Sequence, residues 1–215
     1  MSKNIQGVIF DLDGVIVSTD DCHYEAWKQM ADEEGIYFDR QINERLRGVS
    51  RMASLEIILE RASRNYTDQE KQEMAQRKNN YYVQLIGRLT ADDILPGAME
   101  TLNLLKSRGI RVAIGSSSKN TPIILRQIGL DSFFDAVADG NAITHSKPHP
   151  EVFLLGAKLL GLAPESCIVV EDADAGVEAA LAGNMRVLGV GSASHNPEAT
   201  FAAQDLAHAD WDSIL

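Results

Sequence analysis

The chain has 215 residues, 45% hydrophobic and 24% charged, a balance that suits a folded globular protein and excludes a disordered tail, a collagen-like fibre or a low-complexity protein. Twenty basic against 31 acidic residues give a net charge of −11, which argues against nucleic acid or an anionic membrane as the main partner. It does not argue against an anionic small molecule held by a few local cations, and the length suffices for one sizeable core with an insertion or for two small domains.

The first predicted strand is Val8-Ile9-Phe10, which runs into Asp11. From 18 to 90 the sequence reads as helices only. Trp27, Met30, Ala31 and Glu34 follow helical spacing, and Met52, Leu55, Ile58, Leu59 and Ala62 make an apolar stripe. Thr67-Asp68-Gln69-Glu70 reads as a capping box opening a long helix through Met74, Tyr81, Leu85 and Ile86. After Pro96-Gly97 the strand–helix alternation resumes. Ile110–Ile114, Cys167–Val170 and Arg186–Val190 are continuous apolar runs that suit buried parallel strands. Helices between them are bracketed by an early proline and a late glycine, as at Pro122 and Gly129 and at Pro150 and Gly161. The expected architecture is α/β: a doubly wound, mainly parallel Rossmann-like core from 1–17 and 91–215, with a helical cap, 18–90, inserted after the first strand. The inserted block carries 13 acidic and 11 basic residues, against 18 and 9 in the rest. It is thus nearly neutral, either because helix surfaces favour Arg and Lys or because it meets an anion.

Two cysteines far apart, Cys22 and Cys167, do not form a disulfide framework and suit a reducing cytoplasm. The few apolar residues before Asp11 make neither a signal peptide nor a membrane anchor.

Four strand ends carry polar residues. Asp11 and Asp13, in Asp-Leu-Asp-Gly, bring two carboxylates to one turn, which is costly unless a hard divalent cation such as Mg²⁺ lies between them. An acidic turn capping the next segment is the plainer alternative. Ser116-Ser117-Ser118-Lys119-Asn120 offers hydroxyls and N–H groups for a phosphate, or a simple helix cap. In Ser146-Lys147-Pro148, Lys147 is a mobile point charge that suits a phosphate. Glu171-Asp172, before Gly176, again suits a metal.

In this order the four elements resemble the four motifs of the haloacid dehalogenase superfamily of phosphotransferases, over nearly the whole chain. The resemblance implies that Asp11 is a nucleophile that becomes phosphorylated. Asp13 would act as general acid/base and give its backbone carbonyl to Mg²⁺. Ser116 would bind phosphate, Lys147 would screen the nucleophile and the phosphate, and Glu171 with Asp172 would anchor the metal. Thr19, His23, Ala26-Trp27-Lys28, Leu46 to Arg51 and Arg77-Lys78-Asn79 are most similar to the branch that interconverts β-D-glucose 1-phosphate and glucose 6-phosphate through a primer, glucose 1,6-bisphosphate.

By that resemblance Arg51 binds the non-transferring phosphate, and Ser118 and Asn120 help grip it. Lys78 and His23 contact the sugar or position Asp13, and Thr19 lies at the hinge. Trp27, Gly48 and Lys119 complete the substrate-binding set, although Trp27 suits the cap core as well. The plainer alternatives are that Arg51 pairs with Glu56 and that His23 is a surface residue. The chain departs from that branch after Glu171-Asp172: Ala173-Asp174 replaces a hydroxyl with an apolar side chain and adds an acid. The expected partners are small sugar phosphates, bound by a monomer. A Mg²⁺-dependent sugar-phosphate phosphatase is the second reading, and a non-catalytic phosphosugar sensor the third.

Overall fold

In a computed structural model describing residues 5–215, a six-stranded parallel sheet has the order β3-β2-β1-β4-β5-β6. Residues 1–4, the start of the segment read as lacking a leader, lie outside the described residues. The strands are β1 (Gly7–Phe10), β2 (Arg111–Gly115), β3 (Ala136–Ala138), β4 (Cys167–Glu171), β5 (Arg186–Gly189) and β6 (Phe201–Ala202). β1 lies between β2 and β4, with Phe10 opposite Ile114 and Val170. The chain order reverses on either side of β1, so the carboxyl ends of β1, β2 and β4 converge beside this switch point.

The expected runs become the four central strands, since buried parallel strands need apolar side chains on both faces. β3 and β6, at the two edges, were not anticipated: three residues and two residues are too short to carry a period. One sheet face packs on α5 (Ala98–Ser107), α6 (Thr121–Gln127) and the C-terminal α9 (Trp211–Ile214). The other packs on α7 (Glu151–Leu160) and α8 (Asp174–Ala182), through residues such as Phe153 and Val177.

Between β1 and α5 run four further helices, α1 (Asp20–Glu33), α2 (Arg40–Glu44), α3 (Arg51–Leu59) and α4 (Asp68–Ile86). They have a core of their own, built from Trp27, Met30, Phe38, Leu55, Ile58 and Met74. The capping box of α4 forms in both directions between Thr67 and Glu70. The α3 stripe is shorter than its sequence pattern: Met52 is 40% exposed and the helix stops at Leu59, before Ala62. On α4 it is Tyr82 that is buried, while Tyr81 turns outward to donate to Glu33. The two chain passages into this block lie side by side. Val17 bridges Ile94, and Leu95 N–H donates to the Ile16 carbonyl at 2.9 Å.

Most cations of the block pair within it. Lys28 meets Asp32, Arg40 Asp21, Arg45 Glu60, Arg64 Glu70, Lys71 Glu56, and Arg77 both Glu33 and Glu34. Arg47, which also meets Asp20 and Glu44, lines a cavity between the block and the sheet together with Arg51 and Lys78.

Candidate active site

A cavity of about 600 Å³ lies over the carboxyl ends of β1, β2 and β4. Asp11 and Asp13 follow β1, the Ser116–Asn120 loop follows β2, and Asp172 follows β4. A parallel sheet brings these segments together because all its strands end on the same side.

Asp11 is buried at the floor. Lys147 Nζ donates to its Oδ1 at 2.7 Å and to Glu171 Oε1 at 2.5 Å. Burial alone pushes the Lys147 ammonium down, but these two carboxylates override it and hold the group above its ordinary range. The second Glu171 oxygen accepts from Ala173 N–H at 2.9 Å, so this carboxylate is engaged from both sides. Asp172 carries the oxygens that face the cavity. Burial, then crowding by Glu171, Asp11 and Asp13, pushes its carboxyl up to about 9.

The carboxylates of Asp11, Glu171 and Asp172 offer oxygens within 4.8 Å of one another. Anionic oxygens so crowded, with one carboxyl displaced that far, fit a hard divalent cation. The backbone also leaves the acids room. A Cβ on Gly14, at φ +81°, would fall 2.1 Å from Asp172 Oδ2, and one on Gly176 would fall 1.9 Å from Glu171 Oε1.

The Asp13 side chain is not part of that cluster. Thr19 holds both its oxygens, by N–H at 2.6 Å and by hydroxyl at 2.7 Å. Burial raises the Asp13 carboxyl to about 7, against the lowering effect of those two bonds. Thr19 itself is fully buried and bonds Tyr82 Oη at 3.0 Å; it supports Asp13 from behind and is not on the cavity wall.

His23 lies 3.8 Å from Asp13 and meets Lys78 Nζ at 2.8 Å through Nδ1. Lys78 also lies over the rings of Trp27 and Tyr82, at 4.9 and 4.4 Å. Burial lowers both His23 and Lys78 well below their usual ranges, and Arg51 pushes each further in the same direction. The shifts show that charging these groups beside Arg51 is costly here, a cost that an anion held between them would offset. Trp27 is 2% exposed, belongs to the helical core and still reaches the wall.

Gly48, at φ +73°, and Arg51 line the opposite wall. Arg51 does not pair with Glu56, which is taken by Lys71 at 2.8 Å; among the described residues it has no carboxylate partner. On the sheet side, Ser116 Oγ accepts from Ser118 N–H and Ser118 Oγ from Asn120 N–H, each at 3.2 Å. Asn120 Nδ2 donates to Asn79 Oδ1 of α4 at 2.9 Å, and Lys119 lies on the wall. α6 begins only at Thr121, so Ser116–Asn120 is a loop rather than the first turn of that helix.

Three participants were given no individual role from sequence, although Arg47 and Ser117 lie within quoted motifs. Arg47 reaches Asp20 and lies 3.3 Å from Asp172. Ser117 lines the cavity with a buried hydroxyl that has no partner among the described residues. Tyr82 closes the back of the Thr19–Asp13 pair. Only the alternation of Tyr81 and Tyr82 across two faces of α4 signalled the last. Asp174, the added acid, points away and accepts from Asn196 at 2.8 Å.

Residues 5–184 match the family described as haloacid dehalogenase-like hydrolase. A β-phosphoglucomutase of Bacillus subtilis is 41% identical, over 97% of this chain and 96% of that protein. The crystal structure of β-phosphoglucomutase from Clostridium difficile superposes with a TM-score of 0.92 at 42% identity, covering 98% of this chain and 95% of that one. A fructose-1-phosphate phosphatase of Escherichia coli is 31% identical, over 88% of this chain and 98% of that protein. A parallel sheet with Asp11, Ser116, Lys147 and Asp172 at its carboxyl ends, matched along almost its whole length, belongs to the haloacid dehalogenase-like hydrolase family, in its β-phosphoglucomutase branch.

Proposed function

We propose that this chain is a phosphomutase that interconverts β-D-glucose 1-phosphate and D-glucose 6-phosphate. The observation that carries the reading is one cavity with two unlike ends. Asp11, Asp13 and Lys147 stand at one, with His23 3.8 Å from Asp13 and Lys78 against His23, and Arg51, which has no carboxylate partner among the described residues, faces the other. A sugar bisphosphate has two anionic ends and needs both; a phosphatase needs one. The similarity to β-phosphoglucomutases over the full length supports the same reading.

In this mechanism an Asp11 oxygen bonds to phosphorus as the bond from phosphorus to the sugar oxygen breaks. Asp13, protonated, gives its proton to that leaving oxygen. The phosphoryl group then stands on Asp11 and Asp13 is ionised. In the return half, Asp13 takes the proton of the other sugar hydroxyl, whose oxygen bonds to phosphorus as the Asp11–phosphorus bond breaks. An acid placed near 7 serves both directions at neutral pH.

Lys147 neutralises Asp11 so that a dianionic phosphate can approach. Ser116 and the Ser117 hydroxyl offer donors to the transferring group, and Arg51 offers a bidentate fork to the other phosphate. Asp11 and Asp172, with the Asp13 carbonyl and with Glu171 behind, would hold Mg²⁺, which supplies charge neutralisation at the transferring phosphate. Residues 18–90 act as a cap that moves about the paired strands at Val17 and Ile94 and keeps water from the phosphoaspartate. Glucose 1,6-bisphosphate is the primer that first phosphorylates Asp11.

We place the enzyme in the cytoplasm as a monomer. Both its cysteines are free, and among the described residues no helix is long and apolar enough to cross a membrane.

Phosphorus NMR of β-glucose 1-phosphate with Mg²⁺ and a trace of glucose 1,6-bisphosphate tests the reading. Glucose 6-phosphate should accumulate with little inorganic phosphate. Rapid phosphate release without isomerisation would establish instead a sugar-phosphate phosphatase, the reading favoured by the similarity to a fructose-1-phosphate phosphatase.

A further inference from the structure

Among the described residues, two groups of side chains bring metal-ligating atoms together. One is the acidic cluster of the active site. The other is His145, His149 and Glu151, none of which lies on the cavity wall. We propose that these three residues form a second, surface metal site that takes a divalent transition ion of the Zn²⁺, Ni²⁺ or Co²⁺ class.

The side chains converge because of a tight turn. His149 N–H donates to the Ser146 carbonyl at 3.0 Å, which folds 146–149 back on itself and brings His149 beside His145. The two imidazoles stand 4.7 Å apart, centroid to centroid. Glu151, in the first turn of α7, faces both. Its Oε2 lies 3.0 Å from His145 Nδ1 and 3.9 Å from His149 Nδ1. Around a tetrahedral ion with bonds of about 2.0–2.1 Å, neighbouring ligand atoms are about 3.3 Å apart. The observed pair brackets that spacing, and small side-chain rotations reach it.

The carboxylate is oriented in advance. Thr144 N–H donates to Oε1 at 2.9 Å and His145 N–H to Oε2 at 2.8 Å. These bonds hold the Glu151 carboxyl below its ordinary range; Oε1 accepts only from Thr144 and keeps a further lone pair, while Oε2 also meets His145 Nδ1, a contact that an ion would replace. His149 Nδ1 accepts from Glu151 N–H at 3.3 Å, so that nitrogen is unprotonated, and its one lone pair is held only by this long bond, which an ion would displace. Two imidazoles and one carboxylate, with the remaining positions open to water, suit a borderline ion that favours nitrogen. They do not suit Mg²⁺, which keeps an all-oxygen shell. The site is therefore chemically separate from the acidic cluster on the floor of the cavity, and the proposal stands whether the enzyme is a mutase or a phosphatase. It flanks the turn that carries Lys147, whose own side chain points the other way, into the buried Asp11–Glu171 pair.

The test is calorimetric titration of the untagged full-length protein with Zn²⁺ in saturating Mg²⁺, which keeps the active-site carboxylates occupied. Co²⁺ visible absorption serves as a second readout. One Zn²⁺ per chain is expected, with affinity weakened at least about tenfold in the His145→Gln/His149→Gln double variant, a change of about 1.4 kcal/mol. Mg²⁺-supported turnover of that variant should match the parent, which certifies its fold. If the double variant misfolds, each single substitution carries the same comparison. Equal Zn²⁺ affinity in parent and variants, or no binding by the parent up to about 1 mM, a free energy of only about −4 kcal/mol, overturns the proposal.

Discussion

Arg47, on the loop between α2 and α3, places a guanidinium nitrogen 3.3 Å from the Asp172 carboxylate beyond β4. The contact ties the helical block to the acidic floor of the cavity, and Asp20 holds the same guanidinium from the side. Arg47 thus occupies part of the electrostatic field that a divalent cation would use.

Replacing Arg47 with Gln removes a cation that competes for Asp172. The activation constant for Mg²⁺ should fall roughly three- to tenfold, a partly exposed charge contact being worth about 1 kcal/mol. Mg²⁺ titration of turnover, repeated at high salt, reads this directly. The effect should shrink as salt rises.

Arg51→Ala removes a guanidinium fork that lines the cavity and, among the described residues, has no carboxylate partner. For a mutase, kcat/KM should drop about 10- to 100-fold, since a hydrogen bond to a charged group is worth about 1.5–3 kcal/mol. Release of inorganic phosphate from a small phosphate ester should change far less. Equal loss in both assays would show that Arg51 serves the transferring end.

Asp13→Asn should lower turnover by about 10²–10⁴, the usual worth of a positioned acid/base. It should also change how stability follows pH. In the metal-free protein the Asp13 carboxyl sits at about 7, against an ordinary 3.8. Between those values the folded chain keeps a proton that the unfolded chain has lost. Stabilisation from this group is full below about pH 4 and is lost as pH rises through about 7. Urea unfolding in chelator should therefore show the asparagine variant gaining on the parent across that range. An unchanged difference would mean that Asp13 titrates as an ordinary carboxylate.

Gly176→Ala is expected to damage the site although no carboxylate of the acidic cluster is replaced. The new methyl would lie 1.9 Å from Glu171 Oε1, so that carboxylate must move and its bond to Lys147 be disturbed. A cost of about 1–3 kcal/mol in stability follows from overpacking. Mg²⁺ affinity should weaken with it, measured by thermal melts with and without the ion.

Lys78→Met separates folding from function. The group is buried beside His23, Trp27 and Tyr82, and among the described residues no carboxylate pairs with it. An apolar side chain of similar length relieves that burial, so the melting temperature should hold or rise while kcat/KM for the sugar phosphate falls. Differential scanning calorimetry and steady-state kinetics on one preparation decide it.

Sequence alone determined the scaffold. Four apolar runs ending in polar residues specify parallel strands whose carboxyl ends share one edge, and period and capping specify helices between them. The Thr67–Glu70 box is such a local signal, complete within four residues. Asp11, Ser116, Lys147 and Asp172 were legible as a set, because the four polar motifs in this order resemble those of the family, whereas each taken alone also suits a turn, a cap or a surface residue.

Tertiary structure decided what depends on partners distant in the chain. That Arg47 meets Asp172, 125 positions away, and that Arg51 is left without Glu56 follow from which cations find carboxylates on neighbouring helices. That Thr19 and Tyr82 stand behind Asp13 follows from how α1 and α4 pack. The edge strands β3 and β6 exist because a neighbour offers its hydrogen bonds, not because their own residues carry a period. The His145–His149–Glu151 cluster likewise forms only when a turn folds three exposed residues onto one spot. A residue's type and spacing fix what it can do; the long-range fold fixes what it faces, because charge, burial and hydrogen bonding are settled only by neighbours in space.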